Sequence, residues 1–182
     1  MKVDGVNEML QVRRLYSWAM VLIYACLFAW TVNHYGIALS VVSGTSMQPT
    51  LHDGDHLLIN KFQFLLEKPT VGDVITFRDP SDPDRYLVKR VIGKPGDIIE
   101  IRDGLLYRNG KRVQEPYIDS MIEDGDFGPV KVRQETVFVM GDNRHRYASR
   151  DSRYSGVGMV PYALIDGKVE LILWRPSLAA SL

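Results

Sequence analysis

The chain has 182 residues, 46% of them hydrophobic, which is enough for one packed domain together with an anchor. Its 22 basic and 22 acidic residues balance, so no net charge draws it to nucleic acid. The one cysteine, Cys26, rules out an intramolecular disulfide; lying in an apolar run, it reads as a small hydrophobe and not as a nucleophile.

In chain order the first element is "LYSWAMVLIYACLFAWTV", residues 15–32, with 18 residues and no charge. A helix of that length spans about 27 Å, close to the hydrocarbon thickness of a bilayer. No Asp, Glu, Lys or Arg occurs between Arg14 and Asp53, and Trp18, Trp30 and Tyr35 stand near the two ends, as interfacial aromatics do. Lys2, Arg13 and Arg14 precede the segment, and the next Lys or Arg is Lys61. The positive-inside rule then predicts a cytoplasmic N-terminus (1–14), a single transmembrane anchor (15–36) and an extracytoplasmic domain (37–182). A cleavable signal peptide ending at "ALS" (38–40) is the rival reading. The apolar run exceeds the roughly 7–15 residues of a signal-peptide core, which favours a retained anchor.

Beyond residue 41 the pattern changes to short runs broken by turn residues. "DHLLIN", "GDVITFRDP", "RYLVKRVIG", "DIIEIRDG", "LLYRNGKRV", "ETVFVMGD" and "KVELILW" read as strands, and "LILWRP" as one more. Asp103-Gly104 and Asn109-Gly110 are hairpin signals around "LLYR". "DPSDPD" (79–84) and "SMIEDGDFGP" (120–129) read as loops. The predicted fold class is mostly β, an N-terminal transmembrane helix followed by an antiparallel β domain.

Directly after the apolar run comes "VVSGTSMQPTLHDGD" (41–55), a small polar loop with candidate nucleophilic serines. A serine hydroxyl needs a partner to take its proton. His34, His52, His56 and His145 carry no local signature for that role, although a Ser-His-Asp triad is recognised by geometry and the residues alone leave it open. "HDGDH" admits a metal site of His52, Asp55 and His56, but a turn at Asp53-Gly54 explains the same letters. The other candidate base is Lys89 in "RYLVKRVIGKPGD". With a period of two it shares a face with Leu87 and Val91. If that face is buried, desolvation lowers the ammonium pKa to about 8, at a cost of roughly 3 kcal/mol. "GDNRHRYASRDSRYSGVG" (141–158) is a third polar stretch, dense in Gly, Asp, Arg and Ser.

These stretches together resemble type I signal peptidases, membrane-bound serine proteases that remove signal peptides from exported proteins. "SGTSMQPTL" resembles the nucleophile box and "YLVKRVIGKPGD" the lysine box, so Ser46 and Lys89 match the nucleophile and the general base. In "GDNRHRYASRDSRYSG" the resemblance makes Ser149 the serine that hydrogen-bonds the lysine, with Asp142, Asp151 and Arg153 in support; "GDVITF" (72–77) matches a structural box. Gly44 stands where some members carry a serine that completes the oxyanion hole. Between Asp97 and Asn143 lie 45 residues, which implies a short hairpin insertion around 98–113 in place of a large accessory domain. The implied substrates are preprotein signal peptides with small residues before the cut. The implied setting is the phospholipid bilayer of the cell membrane, with the secretion translocon as a further partner and no metal, cofactor or nucleic acid. The rivals are a self-cleaving repressor-type Ser–Lys protease and a catalytically silent anchored β domain that binds exported proteins.

Overall fold

The computed structural model describes residues 3–176 of the chain, which divides into two compact units, Met1–Ile37 and Ala38–Leu182. The first is a helix, α1 (Val3–Tyr35), of 33 residues with no proline to interrupt it. It begins well upstream of the apolar run. Within it Arg13–Thr31, 19 residues, is long and apolar enough to cross a membrane, and none of that stretch is buried. Trp18, Phe28 and Trp30 are each more than half exposed. Leaving such side chains in water forgoes about 1.5–3 kcal/mol apiece, so the helix fits a single membrane span.

The second unit is built on two antiparallel sheets. One has seven strands in the order β1 (Ile37–Val41), β2 (His56–Asn60), β11 (Ile165–Trp174), β3 (Val74–Asp79), β4 (Asp82–Gly93), β9 (Thr136–Met140) and β10 (Val160–Pro161). The other has four: β7 (Lys111–Arg112), β6 (Leu105–Arg108), β5 (Ile98–Arg102) and β8 (Phe127–Lys131). A short helix, α2 (Gln63–Leu66), and a 3-10 turn (Tyr162–Leu164) complete the regular structure among the described residues.

The strands follow the apolar runs closely. At both hairpin signals the two turn residues have positive φ (Asp103 51°, Gly104 73°; Asn109 55°, Gly110 74°), the conformation that matches strand twist. Three readings change. The "DPSDPD" loop is only a turn at Pro80 and Ser81, because β4 resumes at Asp82. "KVELILW" and "LILWRP" are one strand, β11. The segment expected to hold a lone hairpin around 98–113 is part of a four-stranded sheet, because β8 comes out of the supposed loop at 120–129 and pairs with β5. Pro129 is tolerated there because β8 is an edge strand.

Three apolar clusters hold the domain. Ile75, Phe77, Leu87, Val91, Val137 and Val139 fill the space beneath β3, β4 and β9. Ile92, Ile99, Ile101, Leu106 and Phe138 join the two sheets. Val42, Met47, Leu51, Leu57 and Ile59 seat the loop between β1 and β2. That loop carries Ser46.

Candidate active site

The loop is closed at its base. Val42 N–H donates to the Asp55 carbonyl (2.9 Å), and Gly54 N–H to that of Val42 (2.9 Å). Met47 and Leu51, 1% and 2% exposed, pin its middle to the core. Asp55 is fully buried, accepts the His52 N–H (2.9 Å) and pairs with Arg175 (3.0 Å). Asp53 accepts the Gly44 N–H at 2.7 Å. Gly44 has φ +105°, a backbone that residues with a side chain rarely adopt, and this kink leads directly into Thr45 and Ser46. "HDGDH" is thus a turn, with Gly54 at φ +84° and Asp55 committed to Arg175. Among the described residues no histidine hydrogen-bonds Ser46; His145 pairs with Glu123 at the surface (3.1 Å), and the side chain of His34 lies outside the described residues.

Lys89 reaches Ser46 from β4. Its Nζ lies 2.6 Å from Ser46 Oγ and donates to the Val88 carbonyl at 2.9 Å. Register sets this position. Lys89 is paired with Ile75 of β3, and its face is the buried one, with Leu87 7%, Lys89 2% and Val91 0% exposed. Removing the ammonium from water lowers its pKa from 10.5 to about 8, and the positive charge of Arg85 pushes the same way, against the carboxylates of Asp151 and Asp142. At pH 7 the neutral fraction rises from about 0.03% to about 10%.

The stretch after β9 locks loop and lysine together. At Gly141 a Cβ would collide with Ser149 Oγ and the Ser46 carbonyl, so the backbones meet there at a distance only glycine allows. Asn143 donates its N–H to the Ser46 carbonyl (3.1 Å) and its amide to that of Thr45 (3.0 Å). Asp142 accepts the Thr50 hydroxyl (2.5 Å) and both nitrogens of the Arg90 fork (2.8 and 2.6 Å). Arg90 lies 4.0 Å over the ring of Tyr117, while buried Arg144 is bidentate to Glu115 (3.0 and 2.5 Å). Asp151 accepts from Ser149 (2.9 Å), from the Gly141 N–H (3.2 Å) and from Arg153 (2.8 and 2.9 Å). Ser149 therefore turns its hydroxyl proton to Asp151; among the described residues it makes no hydrogen bond to Lys89, contrary to expectation.

A cleft of about 780 Å³ opens over the pair, walled by residues 38–47 on one side and by Arg85, Leu87 and Lys89 on the other. On the side of β4 toward β9, the ladder takes only Arg90, Val91 and Gly93. Upstream of Arg90 that edge is open along the cleft, where an extended peptide can add as a strand. Among the described residues the Ser46 N–H makes no hydrogen bond and is free to donate into the same space.

The family described as "Signal peptidase, peptidase S26" matches residues 15–174. The chain belongs to this family. Signal peptidase I of Bacillus licheniformis is 37% identical over 88% of this chain and 89% of the relative. Signal peptidase I S of Bacillus subtilis (strain 168) is 34% identical over 96% and 95%. A crystal structure of a signal peptidase I from Enterococcus faecalis V583 is 35% identical and covers 57% of this chain and 98% of that one, with a TM-score of 0.49. The family places the chain among serine endopeptidases, and the self-cleaving repressor reading loses its support.

All seven residues singled out from the sequence, Gly44, Ser46, Lys89, Asp142, Ser149, Asp151 and Arg153, lie in this assembly. Sequence reasoning missed Asn143, Arg90, Thr50, Glu115 and Arg144. Arg90 was signalled by its place beside Lys89, on the opposite face of the same strand; Glu115 carried no local signal.

Proposed function

We propose that the chain removes signal peptides from exported preproteins, with Ser46 as nucleophile and neutral Lys89 as general base. The 2.6 Å contact between Ser46 Oγ and a lysine only 2% exposed supports this best. Lys89 takes the hydroxyl proton while Ser46 Oγ attacks the scissile carbonyl. The Ser46 N–H stabilises the developing oxyanion. The Lys89 ammonium then returns its proton to the leaving amine, releasing the mature protein and leaving the signal peptide as an ester on Ser46. Lys89 next activates the water that hydrolyses that ester. Asp142, Asp151, Arg153 and Ser149 act as positioning residues, and Gly44 shapes the turn that presents Ser46.

The peptide lies extended along the open edge of β4, with small residues before the cut facing the cleft floor. α1 anchors the chain in the cell membrane, with the N-terminus cytoplasmic and residues 37–182 outside. Ser46 follows the apolar run by 14 residues, which keeps it where a signal peptide leaves the bilayer and within reach of a secretion translocon. The test is cleavage of a preprotein by the full chain in detergent from pH 6 to 10. The rate rises with one pKa near 8 and is absent in Ser46→Ala and Lys89→Ala. Cleavage surviving either substitution removes the dyad.

A further inference from the structure

Four basic side chains line the cleft: Lys61, Arg85, Lys89 and Arg150. Three are already committed. Lys61 pairs with Asp166 (3.2 Å), Arg150 pairs with Asp79, and Lys89 holds Ser46. Among the described residues the Arg85 side chain has no hydrogen bond or ion pair, and it is exposed to the cleft. It sits where the ladder between β3 and β4 breaks register: Asp82 pairs with Asp79 and Tyr86 with Arg78, so residues 83–85 bulge out unpaired. Such bulges re-aim side chains beside active sites. Arg85 is also four residues upstream of Lys89 on the strand whose open edge receives the peptide, so no more than about 14 Å of chain separates them.

We propose that Arg85 is a specificity-determining residue that reads a carboxylate on the substrate, three to five residues from the bond that is cut. An extended peptide running along β4 advances about 3.3 Å per residue, which brings a side chain at that remove opposite Arg85. A guanidinium takes a carboxylate through two parallel N–H···O bonds, a geometry that Asp or Glu in the peptide supplies and Lys opposes. The acidic residue can belong to the signal-peptide side or to the mature side of the cut. The chemistry is the same, and the experiment separates the two.

This inference rests on the peptidase reading, so the test is arranged to fail separately from it. A neutral peptide cleaved by the wild type is resynthesised with Asp, Ser or Lys at the fourth and fifth positions before the cut, where no small residue is required, and at the third to fifth after it. The wild type, Arg85→Gln and Arg85→Glu are assayed at pH 8, and the same peptides are titrated against Ser46→Ala with and without each change at Arg85. Comparing Asp with Lys within each enzyme cancels any effect of Arg85 on Lys89. At one position the wild type prefers Asp over Lys by about three- to five-fold in kcat/KM, as expected for a partly solvated pair. Arg85→Gln abolishes the preference, Arg85→Glu reverses it, and added salt weakens it. The side of the cut on which it appears identifies the source of the carboxylate. An unchanged ranking in Arg85→Glu, or no charge preference at any position, overturns the proposal. If no peptide is cleaved, the peptidase reading fails, while the binding titrations still decide whether Arg85 selects the carboxylate.

Discussion

Lys89→Met separates what the lysine does for catalysis from what it does to stability. The folded protein holds the ammonium at a pKa of about 8 against 10.5 in the open chain, chiefly through desolvation. Between those values the unfolded chain binds the extra proton, so stability rises with pH across the window. Below about pH 8 the wild type bears the whole penalty, about 3 kcal/mol, and above 10.5 almost none. Methionine fills nearly the same volume without a charge, but forfeits the contacts with Ser46 Oγ and the Val88 carbonyl, worth about 1 kcal/mol each. The variant should therefore be inactive, yet about 1 kcal/mol more stable than the wild type at pH 7. The stronger readout is the difference between the two proteins. Measured by denaturant unfolding of the full chain in detergent, it should fall by about 3 kcal/mol, and change sign, between pH 8 and pH 10.5. Parallel stability curves for variant and wild type across that range would refute the reasoning, because they would mean that Lys89 keeps an ordinary pKa and is no neutral base.

Gly141→Ala places a methyl group where Ser149 Oγ and the Ser46 carbonyl already lie. A shift of about 1 Å at the dyad lowers kcat by about a hundred-fold with a smaller change in KM, and steady-state kinetics read it directly. Arg175→Ala leaves the buried Asp55 carboxylate without its ion pair. With Arg175 partly exposed, the loss is about 2 kcal/mol, below the range for a fully buried pair, and shows as a lower unfolding midpoint.

The face on which Lys89 stands was legible because strand period acts locally and sets it beside Leu87 and Val91. Its burial was not, because Val88 and Ile92 make the other face apolar as well, and a strand lysine in water reads equally well until the neighbouring strands are in place. The Asp103-Gly104 and Asn109-Gly110 turns were legible locally too, since positive φ is written into two adjacent residues. β1 was hidden because "IALSV" continues the apolar character of the preceding helix, and β8 because Gly128 and Pro129 mark a loop wherever an edge strand does not tolerate them. The partners of Asp142 were hidden for another reason. Thr50 and Arg90 lie 92 and 52 residues away. The loop between β1 and β2, bound by Asn143 at Thr45 and Ser46, brings Thr50 to Asp142, and the paired register of β4 and β9, Arg90 against Met140, brings Arg90.

That register explains why so many clamps converge on one short loop. The hydrogen bond between Lys89 and Ser46 is worth only about 1 kcal/mol, too little to fix two mobile side chains by itself, so the surrounding backbone must hold the 2.6 Å contact. The loop is held from three directions: by Arg175 through Asp55, by Asn143 at the carbonyls of Thr45 and Ser46, and by Asp142 at Thr50. Asp142 is gripped by Arg90, the residue next to Lys89, so the chain that carries the base also fixes the loop that carries the nucleophile. Motion of β4 then moves both partners together and leaves their separation intact. A clamp anchored elsewhere in the sheet would let them drift, and a drift of about 1 Å is enough to lose most of the rate.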